Sequence, residues 1–499
     1  MFNSIAPAAN AKHRFDGYWT NKITGTLKKK SGQKKGSPVS SLTTPESSPA
    51  TSPEQSMRRV ALTSLAGTSI EWFDFFIYAT AAALVFPTVF FAEDMPRYLS
   101  LIASYLTFAV GFLARPIGGI AFGHFGDRFG RKKALVTALL MMGIATTLIG
   151  LVPPFATVGV LAPVMLIVLR FVQGLAVGGQ WGGAMLLVTE NAPPNRRGFY
   201  GAFAQAGAPV GFILASLAFL ITTASVSEEA FMAWGWRIPF LASVVLIGLS
   251  LFVQLKLEDT PAFRELQALR KAAGPTVTPE RSPVLEVLAT YPRQIILAAG
   301  AFLAAQVTFY ILIVFVVSYA TNPEGLNLTR STILTAGLIA SFLQIPALFL
   351  SASFSDRYGR RGIYMLGAAL LGVWAFAIFP LIDTGSFLLI TLALAGGQIF
   401  IAMMYGPQAA LLTELFSTHV RYSGASLGYQ IGAILGGSLA PIIATALYAS
   451  YDSTIGIAIY IAIACALTLL SILLLSETFK TDLTEIGANA TAEVSSEIS

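Results

Sequence analysis

Four ionisable side chains lie inside long apolar stretches of this sequence, where charge is costly. They are Glu71, Asp74, Arg115 and Arg170. A charged side chain at the centre of a membrane helix costs roughly 2.5–3.5 kcal/mol on insertion scales, so each one marks a candidate functional position. The two acidic residues are three apart and share one helical face. Because a carboxyl among apolar groups favours its neutral form, we predict that Asp74 and Glu71 carry protons.

The two arginines point to an anionic ligand. A guanidinium stays charged at any working pH, and its planar fork matches the two oxygens of a carboxylate. We therefore predict that Arg170 and Arg115 bind the substrate. The alternative for each is a structural ion pair, for instance of Asp74 with one of the arginines. This structural alternative is strongest for Arg115, because Arg115 lies toward the end of its apolar stretch.

Neutral polar and aromatic residues in other apolar stretches supply further candidate ligands. We predict substrate contacts from Gln180, Gln306, Tyr310, Tyr405, Gln408 and Tyr429. The alternative for the tyrosines is packing or anchoring at the membrane interface. No phosphate-binding Gly-Lys-Ser/Thr loop and no HExxH pair occurs, and one cysteine cannot form a disulfide or a Cys-based metal site. We expect no enzyme activity, no cofactor and no metal site.

The elements that must position these residues are membrane helices. Hydrophobic residues make up 55% of the 499, and charged residues only 12%. Apolar runs of about 20 residues, enough to cross a bilayer, recur along the chain. This pattern predicts an all-α integral membrane protein with twelve spans: 60–91, 98–125, 134–154, 158–191, 197–223, 236–256, 292–320, 329–354, 362–382, 387–418, 422–450 and 453–476.

The spans divide the chain into two groups of six. Residues 57–256 hold the first six and residues 292–476 the second, with a polar loop at 257–291. Residues 1–56, basic and then rich in Ser, Thr and Pro, are typical of a disordered tail, and residues 477–499 form a second tail. Translation from Met57 is an open alternative for the first tail.

Lysine and arginine are concentrated in the loops that follow even-numbered spans. Positive residues favour the cytoplasmic side, so we predict that both termini are cytoplasmic. The basic N-terminal tail agrees with this orientation. The net charge of +6 is then explained by topology and lipid contact, without a nucleic-acid partner.

Two motifs repeat in the same order. GDRFGRKK at 126–133 returns as SDRYGRR at 355–361, and the two Asp residues are 229 apart. A Glu and an Arg seven residues apart occur after span 4, at Glu190 and Arg197, and again after span 10, at Glu414 and Arg421. The repeat predicts two pseudo-symmetric six-helix bundles, an arrangement in which transporters place their site between the halves.

The repeated loops also carry a predicted gate. An Asp can cap a helix start, and an Arg can pair with a carboxylate at a neighbouring helix end, so such contacts can close one face of a carrier. The alternative is that these charges set topology alone. The predicted gate residues are Asp127, Arg128, Arg131, Glu190, Asp356, Arg357, Arg360 and Glu414.

These motifs resemble the major facilitator superfamily and, more narrowly, its metabolite:proton symporter family. Besides the repeated loops, the matching segments are IEWFDF at 70–75, RPIGG at 115–119, RFVQG at 170–174, WRIPF at 236–240 and YGPQ at 405–408. The resemblance extends from Arg58 to Glu477. Gln180 is a departure, since many members of the family have Glu there.

The resemblance implies an alternating-access symporter in a bacterial inner membrane, driven by the proton gradient. Its substrate would be a small organic acid or a zwitterion, and we expect a monomer. Gln180 leaves uncoupled facilitation open, and an exporter or a transporter-like sensor are further alternatives.

Overall fold

In the computed structural model, residues 53–129, 131–178, 181–256, 283–416 and 421–479 are described. Within these ranges the chain is helical throughout, with no strand. We number the twelve long helices α1 Pro53–Leu84, α2 Arg97–Phe129, α3 Arg131–Leu151, α4 Leu161–Gly178 and Trp181–Asn191, α5 Arg197–Ser225, α6 Arg237–Lys256, α7 Pro292–Tyr310 with its continuation to Ala320, α8 Arg330–Tyr358, α9 Arg360–Asp383, α10 Phe387–Leu415, α11 Arg421–Gly432 with its continuation to Tyr451, and α12 Ile455–Leu474.

Nine helices in the described ranges are long and apolar enough to cross a membrane by length and composition. Helix α3 contributes a shorter apolar segment, Val136–Leu151. Helix α1 is less apolar because it carries Glu71 and Asp74 together with several Ser and Thr residues. The twelve-helix prediction is confirmed, and the charges that make α1 atypical are those singled out from the sequence.

Some boundaries differ from the predicted ones. Helix α1 begins at Pro53, inside the stretch predicted as a tail, and a separate turn, Phe86–Val89, follows it. A short helix, Pro283–Thr290, lies in the segment predicted as a loop. Its apolar residues include Val287, which is fully buried. A short apolar stretch in a polar segment can therefore fold onto the bundle although it is too short to span a membrane.

The two halves pack alike. In the first half α1 packs on α5, α2 on α4, and α3 on both α4 and α6. In the second half α7 packs on α11, α8 on α10, and α9 on both α10 and α12. The halves meet along α2 with α11 and along α5 with α8, which are equivalent positions six helices apart. This pairing is what a duplicated six-helix unit requires.

Glycines bring α2 and α4 into backbone contact. A β-carbon on Gly174 would clash with the Gly111 carbonyl oxygen, and one on Gly178 would clash with the Arg115 carbonyl oxygen. Small residues allow membrane helices to approach in this way. The close approach places Arg115 of α2 and Arg170 of α4 in the same part of the first half.

Candidate functional site between the two halves

The structure buries the four charged residues that the sequence singles out inside the apolar stretches. Glu71, Asp74, Arg115 and Arg170 are each at most 9% exposed. In contrast, large apolar side chains such as Leu113 and Val245 are more than half exposed on the outer surface. The charges therefore face the protein interior and the apolar groups face outward, as lipid requires.

A small cavity lies between the halves at two of these charges, Glu71 and Arg115. Arg115 extends its guanidinium over the rings of Phe75 and Phe112, at 4.8 and 4.5 Å from their centroids. The cavity is lined by Glu71, Trp72, Phe75, Arg115 and Val177 from the first half and by Tyr429 and Gln430 from the second. It thus occupies the position between repeats where carriers bind their substrates.

Arg115 faces acidic and phenolic groups across this cavity. Its charge acts on Glu71 of α1 and on Tyr429 of α11. In the described part of the chain, no direct ion pair joins Arg115 to Glu71. A negatively charged ligand in the cavity would meet a guanidinium that forms no ion pair with any carboxylate of the described residues.

Arg170 lies in an aromatic cage inside the first half. Its guanidinium is 4.7 Å from the ring centroid of Phe75, 4.2 Å from that of Tyr78 and 4.9 Å from that of Phe108. Such cation–π contacts stabilise a desolvated charge by up to about 2 kcal/mol. Its Nη1 donates to Gln173 Oε1 at 3.0 Å. Nε and Nη2 have no hydrogen-bond partner among the described residues, so two donors are free for an acidic ligand.

Asp74 lies apart from the cavity. It is 1% exposed, and neither carboxylate oxygen has a hydrogen-bond partner within the ranges that the structure describes. The carboxyl faces Thr146 of α3, so Asp74 and Glu71 share a helix but not an environment. The alternative of an ion pair between Asp74 and either buried arginine finds no support in the ion pairs of these ranges.

The second half contributes Tyr310 to the aromatic cluster. Its ring centroid lies 6.0 Å from that of Phe75, 5.8 Å from Phe108 and 5.4 Å from Phe112. Its hydroxyl has no partner among the described residues. A π-helical turn, Ile311–Phe315, begins directly after Tyr310, and such turns are frequent at functional sites.

The other predicted ligands from this half divide into two groups. Gln306 and Tyr405 lie close to Tyr429, on the cavity side. Gln408 is elsewhere: it donates to the Tyr364 hydroxyl at 3.0 Å and accepts from Gln205 at 3.4 Å. Its amide is used in packing α10 against α9 and α5, and it does not line the cavity. Gln180 lies outside the described residues.

At one end of the molecule, Asp356 joins the halves. Its two oxygens accept hydrogen bonds from the Gly198 and Phe199 amides, each at 2.8 Å. These amides belong to the first turn of α5, where a negative charge is favoured by the helix dipole. Asp356 of the second repeated loop therefore caps a helix of the first half.

Arg360 connects this cap to Glu414. Its Nη1 is 2.6 Å from Asp356 Oδ1 and its Nη2 is 3.1 Å from Glu414 Oε1. Glu414 also accepts a hydrogen bond from Thr478 at 2.8 Å. Because all these carboxylate contacts are buried, they are charge-assisted bonds in a poorly solvated environment.

The remaining gate candidates behave differently from one another. Glu190 pairs with Arg421 at 3.3 Å, across the halves. Arg421 was not among the predicted residues, although its spacing from Glu414 in the repeat is a signal for it. Arg357 is exposed. The side chains of Asp127, Arg128 and Arg131 lie outside the described part of the chain.

The opposite end is also held together. Tyr105 of α2 donates to Ser318 of α7 at 2.8 Å, and Arg330 at the start of α8 pairs with Glu228 between α5 and α6. Both bonds cross from one half to the other. Contacts between the two halves are therefore present at both ends of their interface.

The chain is similar to known transport proteins over most of its length. Residues 60–490 match the model of the family described as "Sugar (and other) transporter". An inner membrane metabolite transport protein, YhjE of Escherichia coli (strain K12), is 42% identical over 432 residues, which cover 85% of this chain and 96% of that protein. The shikimate transporter of the same strain is 38% identical and covers 84% of this chain and 94% of its own length.

A more distant relative is the proline/betaine transporter of the same strain, 32% identical over 85% of this chain and 84% of its own length. Among solved structures, the proton:xylose symporter XylE bound to 6-bromo-6-deoxy-D-glucose superimposes with a TM-score of 0.67 at 17% identity. The superposition covers 85% of this chain and 97% of that one. At this identity it supports the fold alone.

Proposed function

Because this chain belongs to the sugar (and other) transporter family, within the major facilitator superfamily, it is a multi-pass membrane transporter, and we propose that it is a proton-coupled symporter. The substrate is a small metabolite that carries a carboxylate. The observation that carries this proposal is a pair of buried ionisable groups that form no ion pair among the described residues: the Arg170 fork, with two free donors, and the Asp74 carboxyl, whose oxygens have no hydrogen-bond partner there.

A carboxylate is the shared chemistry of the candidate substrates. Shikimate, proline and betaine, after which relatives of this chain are named, each bear one. A carboxylate accepts from Arg115, which lines the cavity, or from Arg170, whose guanidinium contacts the same Phe75 ring from inside the first half. Each guanidinium offers a planar pair of donors. The remaining polar groups of the substrate meet Gln306, Tyr405 and Tyr429 from the second half, so the substrate holds both halves together.

The coupled proton binds Asp74, with Glu71 as the second carrier. A buried ionised carboxylate without hydrogen bonds is strongly disfavoured, so it takes up a proton instead. Glu71 lines the cavity itself and responds to the charge of the substrate. The two proton carriers therefore lie three residues apart on one helix, α1, and Glu71 is the one beside the substrate.

Alternating access requires the end contacts to break in turn. The Asp356–Arg360–Glu414 network and the Glu190–Arg421 pair close one face, and the Tyr105–Ser318 and Arg330–Glu228 contacts close the other. Charged pairs and helix caps of this kind can form in one state and separate in another. The face with Asp356 is cytoplasmic in the orientation that the Lys/Arg distribution favours.

We place the protein as a monomer in a bacterial inner membrane, with both termini in the cytoplasm. Uncoupled facilitation is the second candidate, favoured by Gln180, which cannot titrate where many family members carry Glu. Coupled transport and facilitation differ in one measurable property, namely whether a pH gradient drives accumulation.

The test is uptake into proteoliposomes with an imposed pH gradient. Radiolabelled shikimate, proline and glycine betaine are each supplied with the interior alkaline, and then without a gradient. Coupled transport accumulates one of them above equilibrium only with the gradient. Asp74→Asn abolishes this accumulation while keeping exchange, whereas Asp94→Asn, in the exposed loop after α1, leaves it unchanged. Accumulation that survives Asp74→Asn contradicts the proton-carrier role.

A further inference from the structure

A row of buried polar side chains leads from Arg170 to Asp74 inside the first half. Arg170 Nη1 donates to Gln173 Oε1 at 3.0 Å, and Gln173 Nε2 donates to Thr146 Oγ1 at 2.6 Å. The Thr146 hydroxyl faces Asp74. Gln173 is 3% exposed and Thr146 is fully buried, so solvent does not compete for these bonds. Neither residue lines the cavity.

The chemistry of the groups sets the direction of these hydrogen bonds. A guanidinium only donates, so the Gln173 amide must present its oxygen to Arg170 and its nitrogen to Thr146. Thr146 then accepts from Gln173. Its single hydroxyl hydrogen goes to the Met142 carbonyl at 2.8 Å, and not to Asp74.

This arrangement suits a protonated Asp74, which needs no donor. When Asp74 loses its proton, the carboxylate needs one. Rotation of the Thr146 hydroxyl from Met142 to Asp74 supplies it. Every bond in the row then donates toward the carboxylate, from the cation of Arg170 to the anion of Asp74. Such aligned chains polarise and strengthen one another.

Few other charges surround Asp74. Glu71, on the same helix, acts on it directly. Arg115 of α2 faces Glu71, and Arg170 of α4 reaches Asp74 through Gln173. Helices α5, α6 and α7 and the Trp181–Asn191 segment of α4 also pack on α1. They carry Asp, Glu, Lys or Arg only near their ends, at Arg197, Arg237, Lys256, Arg293 and Glu190. The row is thus the direct polar connection between Asp74 and a cation.

We propose that Thr146 and Gln173 are positioning residues that couple the protonation of Asp74 to the guanidinium of Arg170. A proton on the Asp74 carboxyl releases the Thr146 hydroxyl to Met142 and uncouples the cation from the acid. Loss of the proton turns the Thr146 hydroxyl to the Asp74 carboxylate and completes the row from Arg170 through Gln173. The inference rests on the proposed function, because it takes Asp74 as the proton carrier and Arg170 as a substrate ligand.

The test measures the protonation of Asp74 in the absence of a substrate. The infrared band of a protonated carboxylic acid is followed against pH in nanodiscs, and the part that Asp74→Asn removes is assigned to Asp74. Thr146→Val removes the donor to the ionised form, so the midpoint of this band moves up by about one pH unit. Gln173→Leu moves it in the same direction by less, and Thr146→Ser restores the original midpoint.

Thr147→Val is the matched control. Thr147 lies next in the chain and donates to the Gly143 carbonyl at 2.9 Å, so its loss leaves the midpoint unchanged. The proposal is overturned if no band is lost in Asp74→Asn, or if Thr146→Val titrates like the Thr147 control. Either result is independent of whether the proteoliposomes accumulate any compound. A failure of the proposed symport can therefore be distinguished from a failure of the proposed coupling between Asp74 and Arg170.

Discussion

Asp356, on α8, caps α5 by accepting a hydrogen bond from the Gly198 amide at 2.8 Å, although the two residues lie 158 positions apart in the chain. The contact joins the two halves at the face that carries the repeated loops. In the proposed alternating-access cycle this contact must break before that face opens, so its strength sets how often the face opens.

Asp356→Asn weakens this cap and opens the face more often. Loss of a cap costs about 1 kcal/mol, which corresponds to about a fivefold change in an opening equilibrium. The measurement is the rate of maleimide labelling of a cysteine placed at Phe203, whose ring packs on Phe349 across the halves at 4.8 Å, in a Cys465→Ser background. Arg357→Gln, at an exposed neighbouring position, serves as the control. Equal labelling rates in the two variants would show that the cap does not hold the face closed.

Arg170→Lys keeps the charge but loses the planar fork. An ammonium cannot present two parallel donors to a carboxylate, so affinity for the transported acid falls about tenfold or more, or about 1.4 kcal/mol. Isothermal titration of the purified variant measures it. Arg237→Lys is the control, because Arg237 donates to the Gly150 and Val152 carbonyls away from the cavity. An unaltered affinity in Arg170→Lys would remove the fork from substrate recognition.

Tyr310→Phe separates binding from stability. The Tyr310 hydroxyl has no partner in the described ranges, so its removal leaves the melting temperature unchanged or higher. Affinity falls by about 0.5–1.5 kcal/mol when the hydroxyl binds the substrate. Tyr364→Phe gives the opposite pattern, because its hydroxyl donates to the Ala301 carbonyl at 2.7 Å: stability falls and affinity stays. A stability loss in Tyr310→Phe without an affinity change would assign Tyr310 to packing.

Gly178→Ala disrupts the approach of α2 to α4. The added β-carbon would overlap the Arg115 carbonyl oxygen, and neither helix backbone can yield without moving an arginine of the site. Overpacking of this kind costs about 1–3 kcal/mol. Thermal unfolding in detergent measures the loss. Gly248→Ala is the control, because a β-carbon there meets no atom within 4 Å. Its melting temperature is expected to stay the same or to rise. Equal melting temperatures of the two variants would contradict the packing argument.

The local sequence was sufficient for the helices and for the residues that must be interior. Apolar length predicts membrane spans because unpaired backbone groups cannot enter lipid, and the same cost marks Glu71, Asp74, Arg115 and Arg170 as buried. The repeat of the Asp-Arg-aromatic-Gly-Arg loop predicts two equivalent halves. None of these conclusions depends on which helices touch.

Which side chains contact one another was decided by the tertiary structure alone. The spacing of Glu71 and Asp74 puts both on one helix face, yet one lines the cavity and the other faces Thr146 of α3. Gln408 has the residue type of a ligand but is used in helix packing. Periodicity along one helix tells which side chains share a face of that helix. Which side chain each of them contacts is set by where a second helix, far away in the sequence, crosses the first. Here those crossings depend on close glycine contacts and on caps such as Asp356 with α5, which no single segment encodes.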